Sequence, residues 1–278
     1  MQALVCSSPG AAAVHTATVL DRRLVADDVV VLGLHAPVLA AAVRPGQFVM
    51  TIPPCGMQAA VALGLYEARE DRCSILFFVC GPRTRALAAV QVGASLDLVG
   101  PLGNGFDLGD ARDVAIVAGG VGIASVLLAA REAVRSGARV RLYYGARTAT
   151  RLVEAERFVR EGCELLAATD DGSHGFHGRV TELLARTADR PDLILACGPH
   201  GMLRATADLA LAWNVPAQLS LEETFACGVG GCWGCVVPLV RTSAQAPHFP
   251  PAERGGSDVV RARVCREGPV FWAHELRW

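Results

Sequence analysis

A chain of 278 residues with 52% hydrophobic content is long enough for two ordinary domains, or one large domain with an appendage, around a sizeable core. Its 26 basic and 27 acidic residues nearly cancel and aromatics make up 6%, which argues against a nucleic-acid partner and against a charged, disordered arm. The longest uncharged run, Val114 to Ala130, approaches the length of a membrane span. It holds Gly119, Gly120 and Gly122 between Asp113 and Arg131, so it reads as a buried strand, a turn and a helix, and no membrane span is expected. The opening "MQALVCSSPG" lacks the basic start and long apolar stretch of a signal peptide, which makes the cytoplasm the expected compartment.

In chain order, the first hundred residues read as strands. "VHTATVLDRRLVADDVVVLGLHA" gives two, and "GQFVMTI", "CSILFFVC" and "SLDLVG" follow between Gly, Pro and charged residues. Five or six short strands without a long helix predict an antiparallel barrel over residues 1–108. From "GDARD" the pattern changes. "VAIVAG" leads into a helix near Ile123–Ser136, "RVRLYYGA" into one near Arg151–Glu161, "CELLAATD" precedes "RVTELLART", and "LILACG" precedes "HGMLRATADLALAW". "AQLSL" closes the series. This alternation predicts a doubly wound parallel α/β sheet over 109–220. Residues 221–278 are rich in Gly, Cys and Pro and too few to build much core alone, so they form a small third domain in need of a staple. Within them 242–258, "TSAQAPHFPPAERGGSD", reads as an exposed loop.

Ten cysteines in a reducing compartment point to metal binding or chemistry wherever they cluster. Cys6, Cys55, Cys73, Cys80 and Cys163 are scattered and read as small buried hydrophobes. Cys227, Cys232 and Cys235 form C-x4-C-x2-C, with Cys265 a distant fourth. That is the plant-type spacing of a [2Fe–2S] cluster. Glycines at 228, 230, 231 and 234 let the main chain curl and present N–H groups to the negative core. Zinc is the competing reading, although zinc sites usually pair their ligands in two short knuckles. An electron carrier needs a donor and an acceptor. "VAIVAGGVGIA" supplies a candidate: Gly119, Gly120 and Gly122 open a helix N-terminus to a pyrophosphate, a weak signal alone. Three further turns, "YYGAR" with Arg147, "TDDGSHG", and "ACGPHGM" with Cys197, Gly198 and Pro199, end successive strands at the same sheet edge, where open α/β sheets bind ligands.

Together these stretches resemble the ferredoxin–NADP reductase superfamily and, more closely, the electron-transfer subunits of NAD-linked, two-subunit dihydroorotate dehydrogenases. The matching segments run in family order: "GQFVM", "GPRTRAL", "GPLGNGFDL", "AGGVGIA", "YYGART", "TDDGSHG", "CGPHGM", "SLEETFACGVGGCWGCV" and "VCREGPVF". The resemblance implies a flavin-binding barrel, an NAD-binding domain and a [2Fe–2S] domain ligated by Cys227, Cys232, Cys235 and Cys265. It implies FAD and NAD(H) as the other cofactors. It also implies an FMN-bearing catalytic subunit as partner, in a heterotetramer serving pyrimidine biosynthesis. Gly198, Pro199 and Met202 would join the nucleotide site, and Cys197 would stand beside the nicotinamide–flavin junction as the one candidate catalytic group, weighed against a plain buried thiol. Glu222 or Glu223 would tune the cluster.

The sequence departs from the family pattern in two places. Where the family carries an Arg-Pro-x-Ser segment that holds the flavin, this chain has Ala60, Val61 and Ala62, which leave only backbone groups for that work, with Gly81 and Thr84 of "GPRTRAL" as the remaining pyrophosphate cradle. Residues 242–258 look inserted near the cluster. Two other readings therefore stay open: a related NAD(P)H reductase subunit serving a different client enzyme, and a flavin-free, cluster-bearing scaffold subunit.

Overall fold

The computed structural model describes residues 12–53, 60–240 and 259–278. Cys6, Cys55 and the loop expected at 242–258 lie outside the described residues.

The first part of the chain closes into a six-stranded antiparallel barrel. Its strands are β1 (Ala13–Ala26), β2 (Val29–His35), β3 (Phe48–Thr51), β4 (Val61–Arg69), β5 (Arg72–Phe78) and β6 (Ser95–Leu102), in the order β1-β2-β5-β4-β3-β6. Alternation sets the inner face: Leu96 and Leu98 point into the barrel while Ser95 and Asp97 point out. They meet Leu32, Leu34, Leu63, Leu65, Ile75 and Phe77 in one core. Two short helices, α1 (Pro37–Ala42) and α2 (Pro82–Ala88), sit between strands, each opened by a proline that fits the first helical turn.

The second part is a seven-stranded sheet. Strands β7 (Asp113–Gly119), β8 (Arg139–Ala146), β9 (Glu164–Thr169), β10 (Phe176–His177), β11 (Leu193–Cys197) and β12 (Ala217–Ser220) are mutually parallel, with helices α3 (Ile123–Arg135), α4 (Ala155–Arg160), α5 (Val180–Ala185) and α6 (His200–Trp213) between them. β7 is almost entirely buried because helices cover both faces. On one face α3 packs with Val29, Val31, Tyr66 and Leu76 from the barrel wall, so an apolar core joins barrel to sheet. On the other face α5 and α6 share a core with the C-terminal residues.

The tail adds a hairpin, β13 (Val236–Val240) with β14 (Val259–Arg263), and then β15 (Val270–Trp272). β15 pairs antiparallel with β12 and becomes the last strand of the sheet. Asn104, after the barrel, fastens this return. Its Nδ2 donates to the carbonyls of Val270 (2.7 Å) and Glu267 (3.1 Å), and its Oδ1 accepts from the Val270 N–H (2.9 Å). The returning strand Val270–Trp272 is thus built into the neighbouring sheet.

Candidate functional site

The nucleotide-site residues meet at the carboxyl edge of the parallel strands. Gly119 stands opposite Gly145, and Cys197 opposite both Ala118 and Ser220. A Cβ on Gly119 would come within 2.7 Å of Met202 Sδ and 2.8 Å of Pro199 Cδ, and one on Gly122 within 2.2 Å of the Cys197 carbonyl. Gly120 and Gly198 hold φ of +53° and +154°, where a side chain is strained. Gly119, Gly120, Gly122, Cys197, Gly198, Pro199 and Met202 therefore form one close-packed unit. Arg147 follows β8 at the same edge with its side chain exposed. The neighbouring turn is braced by Asp171, whose carboxyl is lowered by hydrogen bonds from the Ser173 hydroxyl and N–H.

A cavity of about 310 Å³ opens between barrel and sheet. Val61, Ala62, Leu63 and Gly64 of β4 form one wall, with Phe48, Phe77 and Phe78. Ser125 at the start of α3, Ser220, and the stretch Leu221, Glu222, Glu223 and Phe225 form the facing side. Thr84 and Cys80 lie at the rim, but the Thr84 hydroxyl already accepts the N–H groups of Cys80 (3.0 Å) and Gly81 (3.1 Å). Ala60 is outside the lining, and its carbonyl accepts from Arg83 at 2.8 Å.

Cys197 is wholly buried where the cavity meets the nucleotide edge. Its Sγ lies 3.7 Å from Glu222 Oε1. Burial, then the Glu222 charge, push its thiol far above the ordinary range. It is held neutral and is a poor nucleophile. Glu222 is open to the cavity, yet protein crowds its carboxyl on the other sides. That desolvation raises its pKa against the hydrogen bond from Cys197. The sequence pointed Glu222 and Glu223 at the cluster loop; the structure puts both on the cavity wall.

The four clustered cysteines come as two pairs. The Cys232 N–H donates to Cys227 Sγ and the Cys265 N–H to Cys235 Sγ, each at 3.4 Å. N–H groups of Cys232, Val229 and Gly231 converge on Cys227 and lower its thiol to about 6, while burial first, then Cys235, push Cys265 up to about 12. Among the described residues no three Cys, His or acidic side chains gather as a site for a single metal ion. Each thiol pair thus carries an N–H donor, as the sulfur ligands of an iron–sulfur core require. Gly228 (φ +69°) leaves no room for a Cβ against Met50 of the barrel, 2.4 Å away. Trp233, between two of the cysteines, holds φ +57° and is 44% exposed, with the Arg263 guanidinium 4.5 Å from its ring centre. Of the scattered cysteines, Cys73 and Cys163 are buried, and desolvation lifts both to about 12; Cys80 is exposed.

Ser125, Ser220, Phe225 and Asn104 carry contacts that sequence reasoning did not assign. Ser220, Glu222 and Phe225 are close in sequence to Cys227, and that proximity was the available signal. Ser125 had none, because an early helical serine reads as solvent-facing.

A closed barrel packed on a parallel sheet, with a glycine-built nucleotide edge, defines a reductase-type oxidoreductase. Residues 116–208 match the oxidoreductase NAD-binding domain family. The whole architecture superposes on an NADH-dependent reduced ferredoxin–NADP oxidoreductase with a TM-score of 0.80 and 26% identity, covering 94% of this chain and 90% of that one. The fold is also that of the ferredoxin reductase of carbazole 1,9a-dioxygenase, with a TM-score of 0.64 and 24% identity, covering 73% of this chain and 67% of that one. The electron transfer subunit of dihydroorotate dehydrogenase B (NAD(+)) from Geobacillus kaustophilus is 35% identical over 93% of this chain and 96% of its own length; that from Bacillus caldolyticus is 35% identical over the same shares. The chain belongs to this family of dihydroorotate dehydrogenase electron transfer subunits. Among the described residues no helix is long and apolar enough to cross a membrane.

Proposed function

We propose that the chain carries electrons between an FMN-bearing, dihydroorotate-oxidising partner and NAD, by way of a [2Fe–2S] cluster and FAD. One observation carries this reading: the stretch after β12 lines the cavity at Glu222, Glu223 and Phe225 and reaches Cys227 two residues later, so the cavity lies between the nucleotide edge and the cysteine loop. Cys227, Cys232, Cys235 and Cys265 would hold the cluster, and their paired arrangement with N–H donors suits it. The cavity is large enough for a flavin ring and is mostly apolar. When bound, a flavin exchanges electron pairs with nicotinamide and single electrons with an iron–sulfur centre.

The protein's own task is placement. Gly119, Gly120 and Gly122 would admit a pyrophosphate to the start of α3, and Gly198, Pro199 and Met202 would position the nicotinamide end next to Cys197. The buried, neutral Cys197 fills that junction without bringing charge to it, which favours a spacing and packing role over proton transfer. The relatives' names specify NAD(+), and Arg147 is then a phosphate or ribose contact. On the cluster loop, exposed Val229 and Trp233 offer apolar surface for the partner.

Anaerobic purification with iron, sulfide and acid-released flavin assays tests the reading. Two iron, two sulfide and one FAD per chain are expected, with an FMN enzyme co-purifying on co-expression. Iron and sulfide without flavin would overturn the NAD-linked relay and favour the scaffold reading. A flavin-loaded chain that reduces a different client would overturn the dihydroorotate assignment alone.

A further inference from the structure

We propose that Ser125, on α3, is the hydroxyl that orients the flavin ring in this chain, in place of the barrel-strand side chains that Ala60, Val61 and Ala62 lack. The inference rests on the reading of the cavity as a flavin site. The barrel wall of the cavity is apolar, and the Thr84 hydroxyl is already committed, accepting two backbone N–H groups and donating to the Gly81 carbonyl at 3.1 Å. Among the described residues, the other hydroxyls lining the cavity are those of Ser125 and Ser220, on the sheet side. Ser220 is 4% exposed, whereas Ser125 is half-buried and open to the cavity.

The geometry around Ser125 is tight and directional. A Cβ on Gly64 would lie 2.7 Å from Ser125 Oγ, so the hydroxyl approaches the β4 backbone at a position where only glycine leaves it room. β4 alternates, and Ala60, Ala62 and Gly64 share the face turned to the sheet domain, while Val61, Leu63 and Leu65 turn into the barrel core. Ser125 thus meets the end of that stripe from the sheet side, next to the positions where the missing side chains would have projected. It lies in the first turn of α3, three residues after Gly122 of the glycine turn, which places it between the cavity and the nucleotide edge. A hydroxyl both donates and accepts, so it can meet a polar ring edge in either role.

The test uses the full chain, stripped of flavin and titrated with FAD, with iron content as the check on folding. Ser125→Ala should weaken FAD binding about tenfold, the loss of one hydrogen bond to a polar ring edge. It should also shift the visible flavin bands and the flavin midpoint potential, which a purely structural change would leave in place. Gly64→Ala keeps the hydroxyl but crowds it, and should move the same three readouts in the same direction. Ala62→Ser in the Ser125→Ala background should recover part of the affinity. Affinity within twofold of wild type with unmoved bands and potential in both Ser125→Ala and Gly64→Ala would overturn the assignment to Ser125. Wild-type chain that binds no FAD would instead overturn the flavin reading beneath it, and this assignment with it.

Discussion

Arg131 on α3 is the strongest test of how barrel and sheet are held together. It is 3% exposed and points away from the helix into two carboxylates. Its Nη2 donates to Glu67 of β4 at 2.8 Å and to Glu161 beyond α4 at 2.9 Å, and its Nε donates to Glu161 at 3.1 Å. Breaking a buried ion pair from one side costs about 3–5 kcal/mol, because the partner charge stays behind. Here the cost is reduced, since Glu67 keeps Arg157 and Glu161 keeps Arg69 (2.7 Å). Arg131→Met should therefore destabilise by about 2–3 kcal/mol, just below that range. Adding Glu67→Gln and Glu161→Gln should return part of it. The pH dependence has a definite sign. Burial alone would raise Glu67, but hydrogen bonds from Arg131 and Arg157 carry it below the ordinary value; Glu161 is lowered chiefly by Arg131. Carboxyls depressed in the folded state contribute stability that is complete above the unfolded glutamate pKa of about 4.3 and is lost as pH falls through the folded values. Arg131→Met should make that acid limb shallower. Urea unfolding of the wild-type and variant chains between pH 3 and pH 7, roughly the span of that titration, measures both effects. A cost under about 1 kcal/mol, the level of an exposed pair, with an unchanged acid limb would refute the view that this network locks the two units.

Three further outcomes follow from the site and its supports. Asn104→Ala removes three hydrogen bonds between the barrel exit and the returning tail, and should cost about 3 kcal/mol in thermal or urea unfolding. Glu222→Gln should raise stability at neutral pH: desolvation holds the native carboxyl above its unfolded pKa, so wild type loses stability as pH rises from the unfolded value, about 4.3, through the folded one, and the variant should be flat there. Cys265→Ser and Cys227→Ser should each abolish stoichiometric iron and sulfide in the purified chain while leaving NAD-sheet helicity by circular dichroism unchanged.

Much of the fold was legible because it is written in local periodicity. Alternation marked the barrel strands, and apolar strand, glycine turn and helix marked each parallel unit. The helix over His200–Trp213 follows from "HGMLRATADLALAW" after a proline. Elsewhere distant contacts overrode the local pattern. Residues 151–161 read as one helix, but a short 3₁₀ turn ends at Arg151 and α4 begins only at Ala155, because Glu154 sits at φ +57°. Its carboxylate reaches Tyr66 (2.9 Å) and Arg23 (3.3 Å) on the barrel, partners that no window around residue 154 contains. The cysteine spacing marked the loop, but the partner of Val270–Trp272 was invisible because β12 lies about fifty residues earlier in the chain, far beyond the reach of hairpin signals. The cavity was hidden for the same reason: its walls come from β4, α3 and the stretch after β12.

The course of that last stretch links the nucleotide edge, the cavity and the cysteine loop. Ser220 ends β12 within reach of Cys197, Glu222 and Phe225 line the cavity, and Cys227 opens the cysteine loop. Both flanks are tied down. On one side β12 pairs with β11 and β15, and the Leu221 N–H donates to the Pro269 carbonyl at 2.9 Å. On the other, Phe225 packs on Phe48 of the barrel with ring centres 4.9 Å apart, and Gly228 lies against Met50. A short segment fixed at both ends gains precision from the sheet at one end and the barrel at the other, and a displacement of either unit moves the cavity wall and the cysteine loop together. The described part of the cysteine segment is packed onto the sheet. Its hairpin core, Leu239, Val260, Ala262 and Cys265, belongs to the same apolar cluster as Ile194, Ala196 and Leu219 of the sheet. A relay of the proposed kind needs rigid spacing between neighbouring centres, and one sheet running from the nucleotide edge to the strand after Cys265 would supply it.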